Sequence, residues 1–142
     1  TLTGREYNRV ESYLMEDAEV AIVALGTTVE TAIATATRMR EENGIKAGVV
    51  SPRCLRPFPM KEMAAALKGV KAITCMDRSS PNGALGMLYN ETTAALFAEG
   101  VIIPTDNIIY GLGGRDMTMN DMEEIIKNTK ANADAGKVVG HI

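Results

Sequence analysis

The chain has 142 residues, of which 46% are hydrophobic and 23% are charged, and its formal net charge is −3. This length and composition are typical of one globular domain with its own core. The mild negative charge, without a lysine and arginine run, argues against nucleic acid as a partner. No apolar run approaches the roughly 20 residues that cross a membrane, so we expect no membrane partner.

The predicted elements begin with a fully apolar run at 20–25, which is typical of a strand covered on both faces. Gly26 ends this run. Residues 27–30 fit a capping box, in which a threonine hydroxyl and a glutamate carboxylate satisfy free amides at a helix start. Apolar residues at helical spacing then continue to Asn43-Gly44, which ends the helix. Residues 47–50 are predicted as the second strand.

The middle of the chain repeats this alternation. Two prolines precede an apolar helical stripe from Met60 to Leu67, and a third strand is predicted at 70–76. Asn82-Gly83 then leads into a longer helix. The predicted buried stripe of this helix consists of Leu85, Leu88, Tyr89, Thr92 and Leu96.

Three elements are predicted in the last part of the chain. A short extra strand is predicted at 101–103 and another strand at 107–110. Thr118 is predicted to cap the last helix. The apolar stripe of that helix consists of Met119, Met122, Ile125 and Ile126.

Strands that alternate with helices at this spacing predict an α/β fold. We expect three layers (α/β/α) around a mostly parallel sheet of about five strands. The predicted organisation is an N-terminal arm or linker at 1–17, an α/β domain at 18–130 and a frayed tail at 131–142. The chain opens at Thr1 rather than at a methionine. We therefore expect a piece of a longer polypeptide, although removal of a methionine before threonine gives the same start.

Two cysteines, Cys54 and Cys75, each lie inside an apolar stretch and do not form a CxxC pair. We interpret them as two buried reduced thiols rather than as a disulfide or a metal site. Reduced thiols fit a reducing cytoplasm, which is the predicted location.

A glycine-rich run follows the predicted strand at 107–110 and raises the possibility of a phosphate loop. Gly111 and Gly113 match the first two positions of the dinucleotide fingerprint G-x-G-x-x-G, but Asp116 occupies the third. A carboxylate there would repel a pyrophosphate, and no Gly-Lys-Ser/Thr sequence of a P-loop follows. We therefore interpret Gly111, Gly113 and Gly114 as a tight turn, with Arg115 and Asp116 paired to neighbours.

The turn Gly26-Thr27-Thr28 is the alternative cofactor site, because backbone amides and two hydroxyls at a helix start could hold the phosphate of a nucleotide or flavin. Helix capping explains the same threonines, and we favour it. Catalytic residues are not predicted, since the sole histidine is His141 in the tail. No group of residues has the spacing of a zinc site, so no metal is predicted.

Two further segments contain charged residues at strand ends. Asp77-Arg78 closes the third strand, where α/β sheets usually build their sites, and we favour an ion pair of Asp77 with Arg78 or another arginine over catalysis. The segment from Arg53 to Pro59 contains a second arginine, Arg56, and prolines that fix an extended path. Its arginines either anchor carboxylates and carbonyls or belong to a subunit interface.

These segments resemble the carboxyl-terminal domain of the transketolase superfamily. The motifs are Arg53-x-x-Arg56-Pro57-Phe58-Pro59, Asp77-Arg78 and Asn82-Gly83-x-x-Gly86. Within the superfamily, the 2-oxoacid:ferredoxin oxidoreductases, and among them the pyruvate enzymes, are more similar. Their α subunit also resembles this chain at the opening Gly4-Arg5-x-Tyr7 and at Gly111-Leu112-Gly113-Gly114-Arg115-Asp116-x-Thr118, so the resemblance covers about residues 4–128.

The resemblance implies a parent enzyme that converts pyruvate and coenzyme A to acetyl-CoA and carbon dioxide and reduces ferredoxin. Its cofactors would be thiamine diphosphate, Mg and iron–sulfur clusters, held by other domains or subunits. This chain is then expected to be core domain II, a non-catalytic assembly domain without a cofactor of its own.

Two alternatives stay open. The parent could act on 2-oxoglutarate or a branched-chain oxoacid, or the chain could be a stand-alone nucleotide- or flavin-binding module. If the family resemblance holds, one set of residues is expected to make interface or structural contacts. These are Arg53, Arg56, Pro57, Phe58, Pro59, Asp77, Arg78, Gly111, Gly113, Gly114, Arg115 and Asp116.

Overall fold

The computed structural model describes residues 3–4 and 6–139, and within them it contains five strands and four α-helices. The strands are β1 (Val10–Tyr13), β2 (Val20–Val23), β3 (Ala47–Pro52), β4 (Ala72–Asp77) and β5 (Thr105–Ile109). The helices are α1 (Thr28–Asn43), α2 (Met60–Leu67), α3 (Met87–Ala98) and α4 (Met119–Ala135).

The five strands form one sheet in the order β1-β3-β2-β4-β5. The contacts β3–β2, β2–β4 and β4–β5 are parallel, and only β1 runs antiparallel, against β3. Helices cover both faces, so the predicted three-layer α/β fold with a mostly parallel sheet is confirmed. The carboxyl ends of β2, β3, β4 and β5 therefore meet at one edge of the sheet, which we call the carboxyl edge.

Each face of the sheet has its own hydrophobic core. On one face, side chains of α1 and α4, such as Met39 and Ile126, pack against Ile22 of β2. On the other face, side chains of α2 and α3, such as Leu67 and Leu88, pack against Ile73 of β4. All four residues of β2 and all six of β4 are buried, as their continuous apolar runs predict for central strands.

The two predicted helix caps have different outcomes. At α4 the Thr118 hydroxyl accepts a hydrogen bond from the Asp121 backbone N–H, and the Asp121 carboxylate accepts one from the Thr118 N–H, which makes a capping box. At α1 the predicted capping box at 27–30 is wrong, because Thr27 makes no side-chain cap. Thr27 has helical backbone angles (φ −63°, ψ −22°) rather than the extended angles that a capping residue needs. The hydroxyl of the next residue, Thr28, contacts the Tyr110 hydroxyl at 2.6 Å. The predicted end of α1 at Gly44 is confirmed, with φ 67° at that residue.

Regular elements are present in both segments that flank the predicted domain. Residues 10–13 lie within the expected arm, but they form β1 and pair with β3 from Pro52 to Val49. The expected tail starts at 131, but α4 continues to Ala135 and ends at Gly136. His141 lies outside the described residues. The domain bounds themselves stay a prediction.

Three smaller expectations are wrong. The extra strand at 101–103 is absent from the described part of the chain, because the strand begins only after Pro104 and Ile102 is 95% exposed. Leu85 and Met119 are not in buried stripes, since both lie ahead of the packed turns of their helices and are exposed. Cys75 is buried as expected, but Cys54 is only partly buried.

None of the helices in the described ranges is long and apolar enough to cross a membrane.

Candidate functional site at the carboxyl edge

The carboxyl edge brings together the segments that the sequence predicts as contact sites. Gly26 to Thr28 follow β2, the proline segment at 53–59 follows β3, Asp77 and Arg78 end β4, and the run at 111–116 follows β5. In chain order these segments are far apart. They meet only because four parallel strands end on the same side of the sheet.

Asp77 is a buried charged side chain at this edge, with 7% of its surface exposed. Its carboxylate accepts hydrogen bonds from the backbone N–H groups of Leu88 (2.8 Å) and Tyr89 (3.2 Å) in the first turn of α3. The helix start therefore receives the negative charge that its free amides and dipole favour. The predicted ion pair of Asp77 with an arginine is wrong, because backbone amides of α3 are among the partners of its carboxylate and, within the described ranges, it forms no ion pair.

Asn107 completes this arrangement, and the sequence analysis missed it. Its side-chain Nδ2 donates to the Asp77 carboxylate (2.9 Å) and to the Cys75 carbonyl (3.2 Å). Its Oδ1 accepts from the Gly86 N–H at 2.8 Å, just before α3 begins. The one signal available was a carboxamide inside a strand, a position that asparagine rarely occupies.

Gly86 is required by close approach rather than by its backbone angle. A Cβ atom at this residue would lie 2.2 Å from the Asp77 carboxyl carbon, well inside any real contact distance. Asp77, Asn107 and Gly86 thus form one joint, which we call the β4–α3 joint. It fixes where α3 leaves the sheet.

Arg78 points away from this joint. Its guanidinium lies over the Tyr110 ring, 5.6 Å from the ring centroid. The Tyr110 hydroxyl is held by Thr28 at 2.6 Å, and the missing side chain of Gly111 leaves room for the arginine, whose Nε would be 3.0 Å from a Cβ there. The Thr28 hydroxyl is therefore engaged within the protein, which weakens the alternative of a phosphate site at Gly26–Thr28.

The glycine run forms a tight turn. Gly111, Gly113 and Gly114 have φ values of 72°, 66° and 80°, in the left-handed region where a side chain is strained, and residues 112–114 make one 3₁₀ turn. Arg115 is 81% exposed and its guanidinium lies 3.6 Å from the Asp121 carboxylate. Asp116 is exposed and forms no hydrogen bond or ion pair in the described ranges. The interpretation as a turn thus agrees with the geometry for the glycines.

Asp121 takes part both in the capping box of α4 and in the contact with Arg115. Hydrogen bonds from the Thr118 hydroxyl and backbone N–H lower the pKa of its carboxyl, and the Arg115 charge adds to this in the same direction. The carboxylate is thus ionised at neutral pH and available to Arg115.

The proline segment is anchored to the domain at several points. The Arg53 guanidinium contacts the Glu11 carboxylate of β1 and lies over the Tyr7 ring at 5.0 Å. Arg56 lies 2.8 Å from the Glu91 carboxylate of α3, and the peptide bond between Arg56 and Pro57 is cis. Of the remaining predicted members, Pro57 is exposed, Phe58 is partly buried against the second core and Pro59 is buried. Both arginines thus anchor carboxylates within the chain.

A groove of about 630 Å³ lies beside the outer edge of β5. Its apolar walls include Tyr110 and Ile125, and its polar walls include Arg115, Asp116 and Glu124. The described residues contain no group of three or more His, Cys, Asp or Glu side chains placed to hold a metal ion.

Comparison with known proteins identifies the family. A sequence profile described as "Pyruvate:ferredoxin oxidoreductase core domain II" matches residues 18–122. The chain belongs to this family. The chain is also 34% identical over 136 residues to ketoisovalerate oxidoreductase subunit VorA of Pyrococcus horikoshii. This match covers 95% of this chain and 34% of the relative. It is 40% identical over 114 residues to pyruvate synthase subunit PorA of Thermotoga maritima, which covers 80% of this chain and 29% of the relative.

A solved structure shares the fold of this domain. The beta4 tetramer of a split-gene transketolase, described as inactive, superimposes with a TM-score of 0.68 over 90% of this chain and 44% of that chain, at 21% identity. The expected transketolase-like fold is therefore confirmed. The core domain II chain spans about a third of the length of the two curated relatives above.

Proposed function

We propose that this core domain II chain is a non-catalytic structural and assembly domain of a thiamine diphosphate-dependent 2-oxoacid:ferredoxin oxidoreductase. The observation that carries this proposal is the use of the polar groups at the carboxyl edge. The side chains of Asp77 and Asn107 form hydrogen bonds within the β4–α3 joint, and the Thr28 hydroxyl is hydrogen-bonded to the Tyr110 hydroxyl. An edge whose central polar groups serve the fold has few groups left to act on a substrate.

The parent enzyme would oxidise pyruvate and release carbon dioxide, and coenzyme A would accept the acetyl group as acetyl-CoA. The electrons would pass to ferredoxin in the cytoplasm. The names of the relatives include both pyruvate and ketoisovalerate enzymes, and we propose pyruvate as the substrate. Thiamine diphosphate, Mg and the iron–sulfur clusters would lie in other domains. The donor set here does not fit a cluster, because the two cysteines cannot supply the four thiolates that it needs.

The role of this domain would be to pack against the thiamine-binding domains and other subunits. The exposed charged residues of the expected contact set are Arg53, Arg56, Arg78, Arg115 and Asp116. Arg53 and Arg56 are already paired within the chain, and they would support these contacts by holding the proline segment in place.

The test is a comparison of the purified chain with the full-length enzyme that carries it. The chain alone is expected to show no thermal shift with thiamine diphosphate and Mg, FMN or NAD, and no viologen reduction from pyruvate and coenzyme A. The full enzyme is expected to reduce viologen with pyruvate faster than with 2-ketoisovalerate or 2-oxoglutarate. Saturable micromolar binding of any of these cofactors to the chain would overturn the non-catalytic role and revive the nucleotide- or flavin-binding module.

A further inference from the structure

We infer that Arg78 anchors a carboxylate of a partner polypeptide that docks over the carboxyl edge. This inference rests on the proposed function, because it names the partner chemistry of the same edge. Arg53, Arg56 and Arg115 each lie beside a carboxylate of this chain. Arg78 differs from them, since in the described part of the chain it has an aromatic contact but no anionic partner.

The guanidinium of Arg78 is held in a defined place before any partner binds. It lies over the Tyr110 ring, and that ring cannot turn freely because its hydroxyl is bonded to Thr28 in the interior. Stacking on an aromatic face leaves the edge of the guanidinium, with its N–H donors, available for a carboxylate. A preorganised donor loses less conformational entropy on binding than a free arginine side chain does.

One exposed apolar side chain follows the residue that Arg78 packs against. Leu112 is 64% exposed and comes directly after Gly111, where a Cβ atom would lie 3.0 Å from the Arg78 Nε. Arg78 itself lies on the buried Tyr110 ring. Arginine and tyrosine are two residue types that are enriched at the centre of protein interfaces.

A polypeptide fits this surface better than a small anion does. A small anion needs converging donors in a concave site, whereas Arg78 is exposed and its described contact is with an aromatic ring rather than with further donors. The exposed Leu112 needs an apolar counterpart, and the positive charge of Arg78 needs a negative one. The curated relatives are named as subunits of oxidoreductases, so another subunit of such an enzyme is available to supply both.

The first test is charge reversal in the full-length enzyme with its other subunits. Arg78→Glu is expected to weaken assembly, measured by analytical ultracentrifugation at several salt concentrations, by at least about tenfold. The matched control is Lys68→Glu, which makes the same change in charge at the end of α2, on the opposite edge of the sheet. It should change assembly by less than about twofold. Arg78→Lys keeps the charge but not the planar fork, so an intermediate loss is expected.

The second test locates the partner without requiring a change in stability. The photo-crosslinker p-benzoylphenylalanine is placed at Leu112, and as a control at Ile102, which is exposed on the opposite edge. The crosslinker at position 112 is expected to capture a peptide that contains Asp or Glu, which mass spectrometry identifies. The crosslinker at position 102 is expected to capture none.

The outcomes separate this inference from the proposed function. Equal assembly of Arg78→Glu and Lys68→Glu overturns the docking site, even if the enzyme oxidises 2-oxoacids. Capture of a second copy of this chain also overturns it. An enzyme that assembles through Arg78 but does not act on any 2-oxoacid contradicts the proposed function alone.

Discussion

At the scale of single residues, Asp77 and Arg78 show how adjacent side chains acquire separate roles. The sequence favoured an ion pair for Asp77, but successive residues at a strand end point to opposite faces of the sheet. Asp77 therefore faces α3 and takes two backbone amides, whereas Arg78 faces the other side and takes the Tyr110 ring. A neighbour in sequence is a poor guide to a partner in space when the backbone is extended.

Asp77→Asn is expected to lower the free energy of unfolding by about 2–3 kcal/mol, because the joint loses a charged acceptor and gains a donor that faces other donors. Urea unfolding followed by circular dichroism measures this loss. The control is Asp116→Asn at an exposed carboxylate, where a change within about 0.5 kcal/mol is expected. Equal effects of the two substitutions would show that the carboxylate does not stabilise the start of α3.

At the scale of elements, the helix starts differ in what satisfies their amides. The cap of α4 is local, because Thr118 and Asp121 are three residues apart and satisfy each other's amides. The start of α3 is satisfied by a strand residue, Asp77, ten residues before Met87. Local caps can be predicted from a short motif, but a cap supplied by another element cannot.

The contrast between two threonines tests the local cap. Thr118→Ala is expected to cost about 1 kcal/mol of unfolding free energy, since one amide of α4 loses its acceptor. Thr27→Ala should cost a few tenths of a kcal/mol at most, because Thr27 makes no side-chain cap. Thermal unfolding of both variants measures the difference. A larger loss for Thr27→Ala would restore the capping box that the sequence predicts at α1.

The β4–α3 joint is tested by two glycines. Gly86→Ala is expected to cost about 2 kcal/mol or more, because its Cβ would meet the Asp77 carboxylate and displace α3. Gly69→Ala is the control, since nothing lies within 4 Å of a Cβ at that residue. It should be neutral or slightly stabilising. Chemical denaturation measures both, and loss of the Leu88 amide protection in hydrogen exchange of Gly86→Ala would place the damage at the joint.

At the scale of the whole molecule, the sheet extends beyond the part that the family profile matches. The profile begins at residue 18, but β1 precedes it and covers the edge of β3. Arg40 of α1 ties the following turn to the domain, since its Nη2 donates to the Leu14 carbonyl at 2.6 Å. Residues 10–13 of the predicted arm thus form a strand of the sheet.

Removal of residues 1–17 is expected to lower the free energy of unfolding by about 3 kcal/mol or more, because β3 loses its partner strand and the apolar contacts of Leu14 and Met15 are lost. Removal of residues 1–8 keeps β1 and loses the Tyr7 contact with Arg53, for about 1 kcal/mol or less. Urea titration of both truncated chains tests this prediction. Equal stability of the two would support the domain start at 18.

The sequence by itself determined the architecture. Continuous apolar runs such as β2 and β4 predict buried parallel strands, helical stripes predict the covering layers, and Gly44 marks a helix end, because these signals depend on neighbours within a few residues. The sequence did not predict the edge strand β1, since a four-residue antiparallel edge strand with three half-buried residues and one exposed residue has no clear pattern.

Only the tertiary structure decided the partners of the polar side chains. The contacts of Thr28 with Tyr110 and of Asp77 with Asn107 join residues 82 and 30 positions apart. Such pairs form because parallel strands bring their carboxyl ends to one edge, and nothing within either local segment encodes the other. The glycine run after β5 shows the same division. Its composition predicts a turn, but the place of Gly111 beside Arg78 follows from the order of the strands.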